Sequence, residues 1–169
     1  MDGASGFARD RGVTVSNVSM DPTNPVVALC AAGMECDGTP DEARRLFEQA
    51  WEARRDDYDA SVAAHFLARH QPTPEDALHW NALAVHHAEA LRDGRGKDLF
   101  ASLYLNLADS YAQTGQGTAA ITAAATALER VELLPPGGYR DFVTMGIQRL
   151  QRRLGVAEAT PRCELSVRE

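Results

Sequence analysis

The chain has 169 residues, 44% of them hydrophobic and 24% charged, a composition ordinary for one globular domain or for a short array of repeats. Its formal charge of -7 argues against the basic face that nucleic-acid binding needs and against docking on anionic membranes. No run approaches the roughly 18 apolar residues of a membrane span, no signal-peptide core opens the chain, and three cysteines without CxxC spacing form neither a disulfide framework nor a zinc site. The expected setting is the cytoplasm, with reduced thiols.

Residues 1–23 are rich in Gly, Ser, Asp and Asn and read as a flexible N-terminal arm, in which "VTVSNV" alternates only weakly. Almost everything from 24 to 154 reads as helix, with turns at "DGTP", "QPTP", "RDGRG", "TGQG" and "LPPGG". In the first helix Val27, Cys30, Ala31 and Met34 follow i, i+3, i+4, i+7 and are expected to face inward. The stretches "GTPDEARRLFEQA" at 38–50 and "PTPEDALHWNALA" at 72–84 then align without a gap, Ala43 matching Ala77 at an offset of 34. Each starts with the same helix-initiating device: Thr39 or Thr73 to cap, Pro40 or Pro74 for the first turn, and Glu42 or Asp76 three residues after the cap.

All five histidines fall between 65 and 87, three of them in "HWNALAVHH". His79 and His86 share a helix face but lie about 10.5 Å apart along its axis, too far to share one metal ion. His86 and His87 diverge by about 100°, and no i, i+4 histidine pair or HExxH occurs. Trp80, Leu83, Ala84, His87 and Leu91 form a packing stripe, which puts His87 partly inside and His79 and His86 outside. His65 stands where the other units have Ala31 and Ala108, and Asn81 where the first has Phe47. A hydrogen bond between His65 and Asn81 is the expected way to satisfy two polar groups at a helix crossing.

"GRGKD" at 94–98 lacks the GxxxxGK[ST] spacing and follows no strand, so it reads as a helix–helix turn, and a mobile one. No GxSxG or other nucleophile motif occurs. Cys30 lies on a core stripe, whereas Cys36 and Cys163 are expected to be more exposed.

The third unit shows its pattern most fully. Tyr104, Leu107, Ala108 and Tyr111 mark its first helix, Ala120, Ala124 and Ala127 its second, and Pro135 closes it. After the turn, Phe142, Met145, Ile147, Leu150 and Leu154 give an amphipathic helix whose "QRLQRRLG" arginines occupy the outer face. Residues 155–169 read as a tail.

This series resembles the tetratricopeptide repeat: an aromatic, a leucine, a small residue and a tyrosine, then Ala, an aromatic and a stop proline. The resemblance covers units at about 24–57, 58–91 and 98–135, with a capping helix at 139–154. It implies an all-α fold of antiparallel helix–turn–helix repeats in a short right-handed solenoid. The step from Ala77 to Ala120 is 43, and the added residues around "LRDGRGKDLF" resemble the longer helices of the kinesin-light-chain type of repeat.

In such repeats the first helices line a concave groove. Carried over unit by unit, the groove face holds Ala28, Ala32 and Glu35, then Asp59, Val62, Phe66, Arg69 and His70, then Ser102, Leu105, Asn106, Asp109 and Gln113. Val62, Phe66, Arg69, His70, Leu105, Asn106, Asp109 and Gln113 are the candidate binding residues, with Phe66 and Arg69 as hot-spot types. Family members that clamp a terminal carboxylate use lysine, arginine and asparagine, where this chain has Ala28, Ala32, Ala63, Ser102 and Asn106. Only the asparagine is retained, so that motif is not expected as ligand, and the groove acids point to a partner with some basic character.

The expected function is a non-enzymatic adaptor or scaffold that binds a protein or peptide, with no catalytic residue, metal, cofactor, nucleic acid or membrane involved. The alternative is an oligomerising or regulatory module, for instance a homodimer, acting through its convex face or its ends.

Overall fold

The computed structural model describes residues 20–36 and 39–155. Most of the arm (1–19), the two residues 37–38 and the tail from 156 onward, Cys163 included, lie outside the described residues. Among the described residues seven α-helices follow one another: α1 (Pro25–Glu35), α2 (Pro40–Glu52), α3 (Asp57–Ala68), α4 (Pro74–Ala90), α5 (Phe100–Gln113), α6 (Gly117–Val131) and α7 (Gly138–Arg153). One 3-10 turn at Lys97–Leu99 leads into α5, and no strand occurs among the described residues. The fold is all-α.

Local chemistry explains the helix starts. Proline occupies the first turn of α1, α2 and α4, where its missing N–H costs nothing. Asn24, Asp56 and Thr73 cap α1, α3 and α4 by accepting from the N–H of Val26, Asp59 and Asp76. Thr73 also donates to the Asp76 carboxylate at 2.6 Å, whereas Thr39 makes no side-chain cap bond. At the end of α5, Gly115 takes φ +75°, which lets Gln116 N–H return to the Tyr111 carbonyl at 2.8 Å.

Each helix packs on the next, and short connections join α1 to α2, α3 to α4 and α5 to α6 as hairpins. Beyond this sequential packing, α1 touches α3 and α5 touches α7. The close crossings fall on small residues: Ala43, Ala63, Ala64, Ala84, Ala88, Ala101, Ala108, Ala120, Ala124 and Ala127 are all buried. Phe47, Leu67, Leu103 and Ile147 supply the bulk between them, each contributing roughly 1.5–3 kcal/mol by leaving water.

Two expectations change here. In α1 the buried face is Val26, Val27, Cys30 and Gly33, while Ala31 and Met34 face out. Gly33 is the reason: the Phe47 ring presses against it so closely that a Cβ there would lie 2.4 Å from Cε1. A methyl group at 33 would rotate the helix away, so the glycine selects which stripe packs. In α7, Val143, Ile147 and Leu150 are buried, and Phe142 and Met145 remain 56% and 50% exposed.

The residues added between the second and third units do not only lengthen helices. α4 runs to 17 residues, and 91–99 form a loop. That loop is tied down by Arg95, whose guanidinium reaches Asp93 at 2.7 Å and Asp56 at 2.8 Å and lies 5.1 Å from the Tyr58 ring centre. Left-handed Gly94 (φ +80°) and Gly96 (φ +73°) allow the tight path on either side of it.

Candidate functional site

The residues singled out from sequence lie on or just past α3 and α5, and polar bonds tie α1, α3, α5 and α7 together in turn. The first tie is Asn24 to Asp59. Asn24 accepts from Val26 N–H at 2.8 Å while its amide donates to Asp59 Oδ1 at 2.6 Å. Asp59 Oδ2 accepts from Arg55 through its backbone N–H at 3.1 Å and its Nε at 2.9 Å. Asp59 is wholly buried, so its charge is neutralised within the fold and is not presented to a ligand.

Val62 and Phe66 are 1% and 4% exposed. The expectation that they floor an open groove is corrected: α3 is enclosed on nearly every side by α1, α2 and α4, and its apolar residues belong to the core. Phe66 stacks on Phe47 at 5.5 Å between ring centres, and Phe47 meets the His70 ring at 5.0 Å. His65 stands edge-on to Phe66 at 5.0 Å. Arg69 is exposed at the end of this row and makes no ion pair among the described residues. Burial, helped by the Arg69 charge, pushes the His65 pKa down to about 4, and the same two causes lower that of His70. Arg69 is therefore flanked by two neutral imidazoles at neutral pH.

The second tie is His65 to Asn106. The Asn106 amide donates to His65 Nδ1 at 3.3 Å, which requires that nitrogen to be unprotonated and agrees with a neutral ring. Asn81 does not meet His65, contrary to expectation. Its amide donates to Ser110 Oγ at 2.8 Å, and its Oδ1 is buried without a partner. The helix offset explains this: Asn81 on α4 faces α5, and His65 reaches α5 one turn nearer its start.

The third tie joins Asp109 on α5 to Arg153 on α7, with Gln113 also donating to Asp109. Asp109 thus spends its charge internally, as Asp59 does. Leu105 is half-buried against Gly146 of α7, where a Cβ would lie 2.6 Å from the leucine Cδ2. Asn106 and Asp109 are half-buried and Gln113 is exposed. Of the eight candidates, Arg69 and Gln113 are exposed, His70, Leu105, Asn106 and Asp109 are half-buried, and Val62 and Phe66 are buried.

The remaining histidines sit as the periodicity predicts. His79 and His86 are exposed, and His87 is half-buried with Nδ1 2.8 Å from Asp57 Oδ1. Among the described residues no three His, Cys, Asp or Glu side chains converge as metal ligands do. One group escaped sequence reasoning. Trp51 and Trp80 meet at right angles with ring centres 5.0 Å apart, and Arg54 lies 3.9 Å from the centre of Trp51. Trp51 falls just past the aligned stretch 38–50, so the repeat pattern did not draw attention to it.

Compared with family models, curated proteins and solved structures, the chain matches none.

Proposed function

We propose that this protein is a non-enzymatic adaptor of tetratricopeptide-like build, which holds a protein or peptide segment along the face shared by α3 and α5. The observation that supports this reading is Arg69. It is an exposed guanidinium without an ion pair among the described residues, and its charge helps keep His65 and His70 neutral.

Two of the three acids that pointed to a basic partner are already engaged, Asp59 by Asn24 and Arg55 and Asp109 by Arg153, and the third, Glu35, lies on α1. A segment carrying a carboxylate for Arg69 and backbone groups for the amides of Asn106 and Gln113 fits the face better. A bidentate Arg–carboxylate contact at a partly desolvated site is worth about 1.5–3 kcal/mol.

The test uses an affinity-captured partner from native extract. Arg69→Ala and Gln113→Ala should weaken capture at least tenfold while helicity and Tm stay unchanged. Unchanged capture by both variants overturns the proposal. Phe66→Ala is unsuited as a probe, because it opens a core cavity.

A further inference from the structure

The two ends of the helix series are unlike in a complementary way. Among the described residues α7, the last helix, packs chiefly on α5 and α6 and its outer face is exposed. Phe142 and Met145 lie on that face, 56% and 50% exposed, one turn apart, with exposed Arg149 and Arg152 continuing the same stripe. Positions 142, 145, 149 and 152 follow i, i+3, i+7, i+10, so the four form one ridge, apolar at one end and cationic at the other.

α1 opens the described series and, among the described residues, packs chiefly on α2 and α3. Its outer face presents Met34, 46% exposed, together with exposed Ala28, Ala31 and Glu35. Glu35 is the only charged residue of α1, whereas α7 carries four arginines against the single Asp141. Laid parallel, the spacing is shared: Arg149 stands seven positions past Phe142, and Glu35 seven past Ala28. The cation then meets the anion where the bulky side chains meet small ones.

We infer that the occupant of the α7 face is the α1 face of a second copy of this chain, so that copies associate head to tail. Large apolar side chains on one end are accommodated by alanines on the other, and the charges of the two ends attract. A face-to-face pairing of two α7 helices would instead bring arginine stripes together. Such a contact is heterologous and leaves a free head and a free tail after every addition, so short open chains form rather than a closed dimer. The buried area is that of one helix on another, below the size of a standard interface, so the association is weak and depends on concentration and salt.

Analytical ultracentrifugation of the full chain tests this. Its mass should rise with concentration up to about 1 mM and fall back toward monomer at high salt. A tail-blocked variant, Phe142→Glu with Met145→Glu, and a head-blocked variant, Ala31→Arg with Met34→Arg, should each remain monomeric. Mixed in equal amounts they should form a one-to-one dimer and nothing larger, because one intact head meets one intact tail. Circular dichroism checks that both keep their helices. If either loses them, Arg149→Glu and Glu35→Arg replace the pairs: each weakens association alone, and mixing restores it. A wild-type chain that stays monomeric throughout, a head-blocked variant that still self-associates, or a mixture that stays monomeric overturns the inference. Arg69 takes no part, so partner capture and self-association fail independently.

Discussion

His65 links local packing to solution behaviour. Its folded pKa is about 4 because burial and the Arg69 charge oppose protonation, and its ordinary value is 6.5. A histidine whose folded pKa is lowered contributes full stability above its unfolded pKa and loses it as pH falls toward the folded one. Between pH 6.5 and 4 the wild-type chain should therefore lose about 3 kcal/mol on account of this ring. His65→Asn removes the titration but keeps a polar group of similar reach for Asn106. The Tm difference between wild type and variant, measured at pH 7 and at pH 5, should narrow or reverse at the lower value. An unchanged difference shows that the ring is not held neutral. The sequence reveals that position 65 is polar at a crossing meant for a small residue. It does not reveal the partner, because the choice between Asn81 and Asn106 depends on how far α3 and α5 slide along each other.

At the scale of the helix, Gly33 decides the packing of α1. Phe47 is buried between Gly33, Phe66 and His70, so its ring has no room to swing away from a methyl group at position 33. Gly33→Ala should destabilise the chain by about 1–3 kcal/mol, which lowers Tm by roughly 2–4 °C per kcal/mol. Ala32→Leu, one residue away and exposed, should leave Tm nearly unchanged and serves as the control. The helices themselves are legible from proline, cap and turn residues, and the seam of α6 from its periodicity. The buried face of α4, by contrast, is Asn81, Ala84, Val85 and Ala88, of which the expected stripe held only Ala84. The face of α1 is not legible either, because hydrophobic spacing treats glycine as filler, and the contact that needs it comes from α2. Phe66 shows the same gap. Its place on the first-helix face is correct by spacing, but a neighbouring helix covers it, and spacing along one helix carries no record of that cover.

For the molecule as a whole, the ties between first helices matter more than any single pair. Asn24 to Asp59, His65 to Asn106, and Asp109 to Arg153 link α1, α3, α5 and α7 in order. Helices that pack chiefly on their sequence neighbours are expected to lose structure from an end inward. Asp59→Ala should cost about 2 kcal/mol by leaving the Asn24 amide without its acceptor. Hydrogen exchange should show the loss concentrated in α1 and α2, with protection in α5, α6 and α7 retained. A uniform loss along the chain would mean that the units open together. Apart from His65, whose place at a helix crossing marks it, the partners in these ties are not evident in composition or periodicity, because they are polar residues far apart in the sequence that look like ordinary surface groups.

The Asn24–Asp59 tie also bears on whether the units are interchangeable. Asn24 completes the start of α1 and fills a bond to Asp59 that the second hairpin cannot supply alone. Neither Ala101 nor Ser102, near the start of α5, offers a matching carboxylate. The first hairpin is therefore keyed to the second and to no other position. Moving it before the third would leave a buried anion in one place and an unanswered amide in another. The first two hairpins are parts with a fixed order.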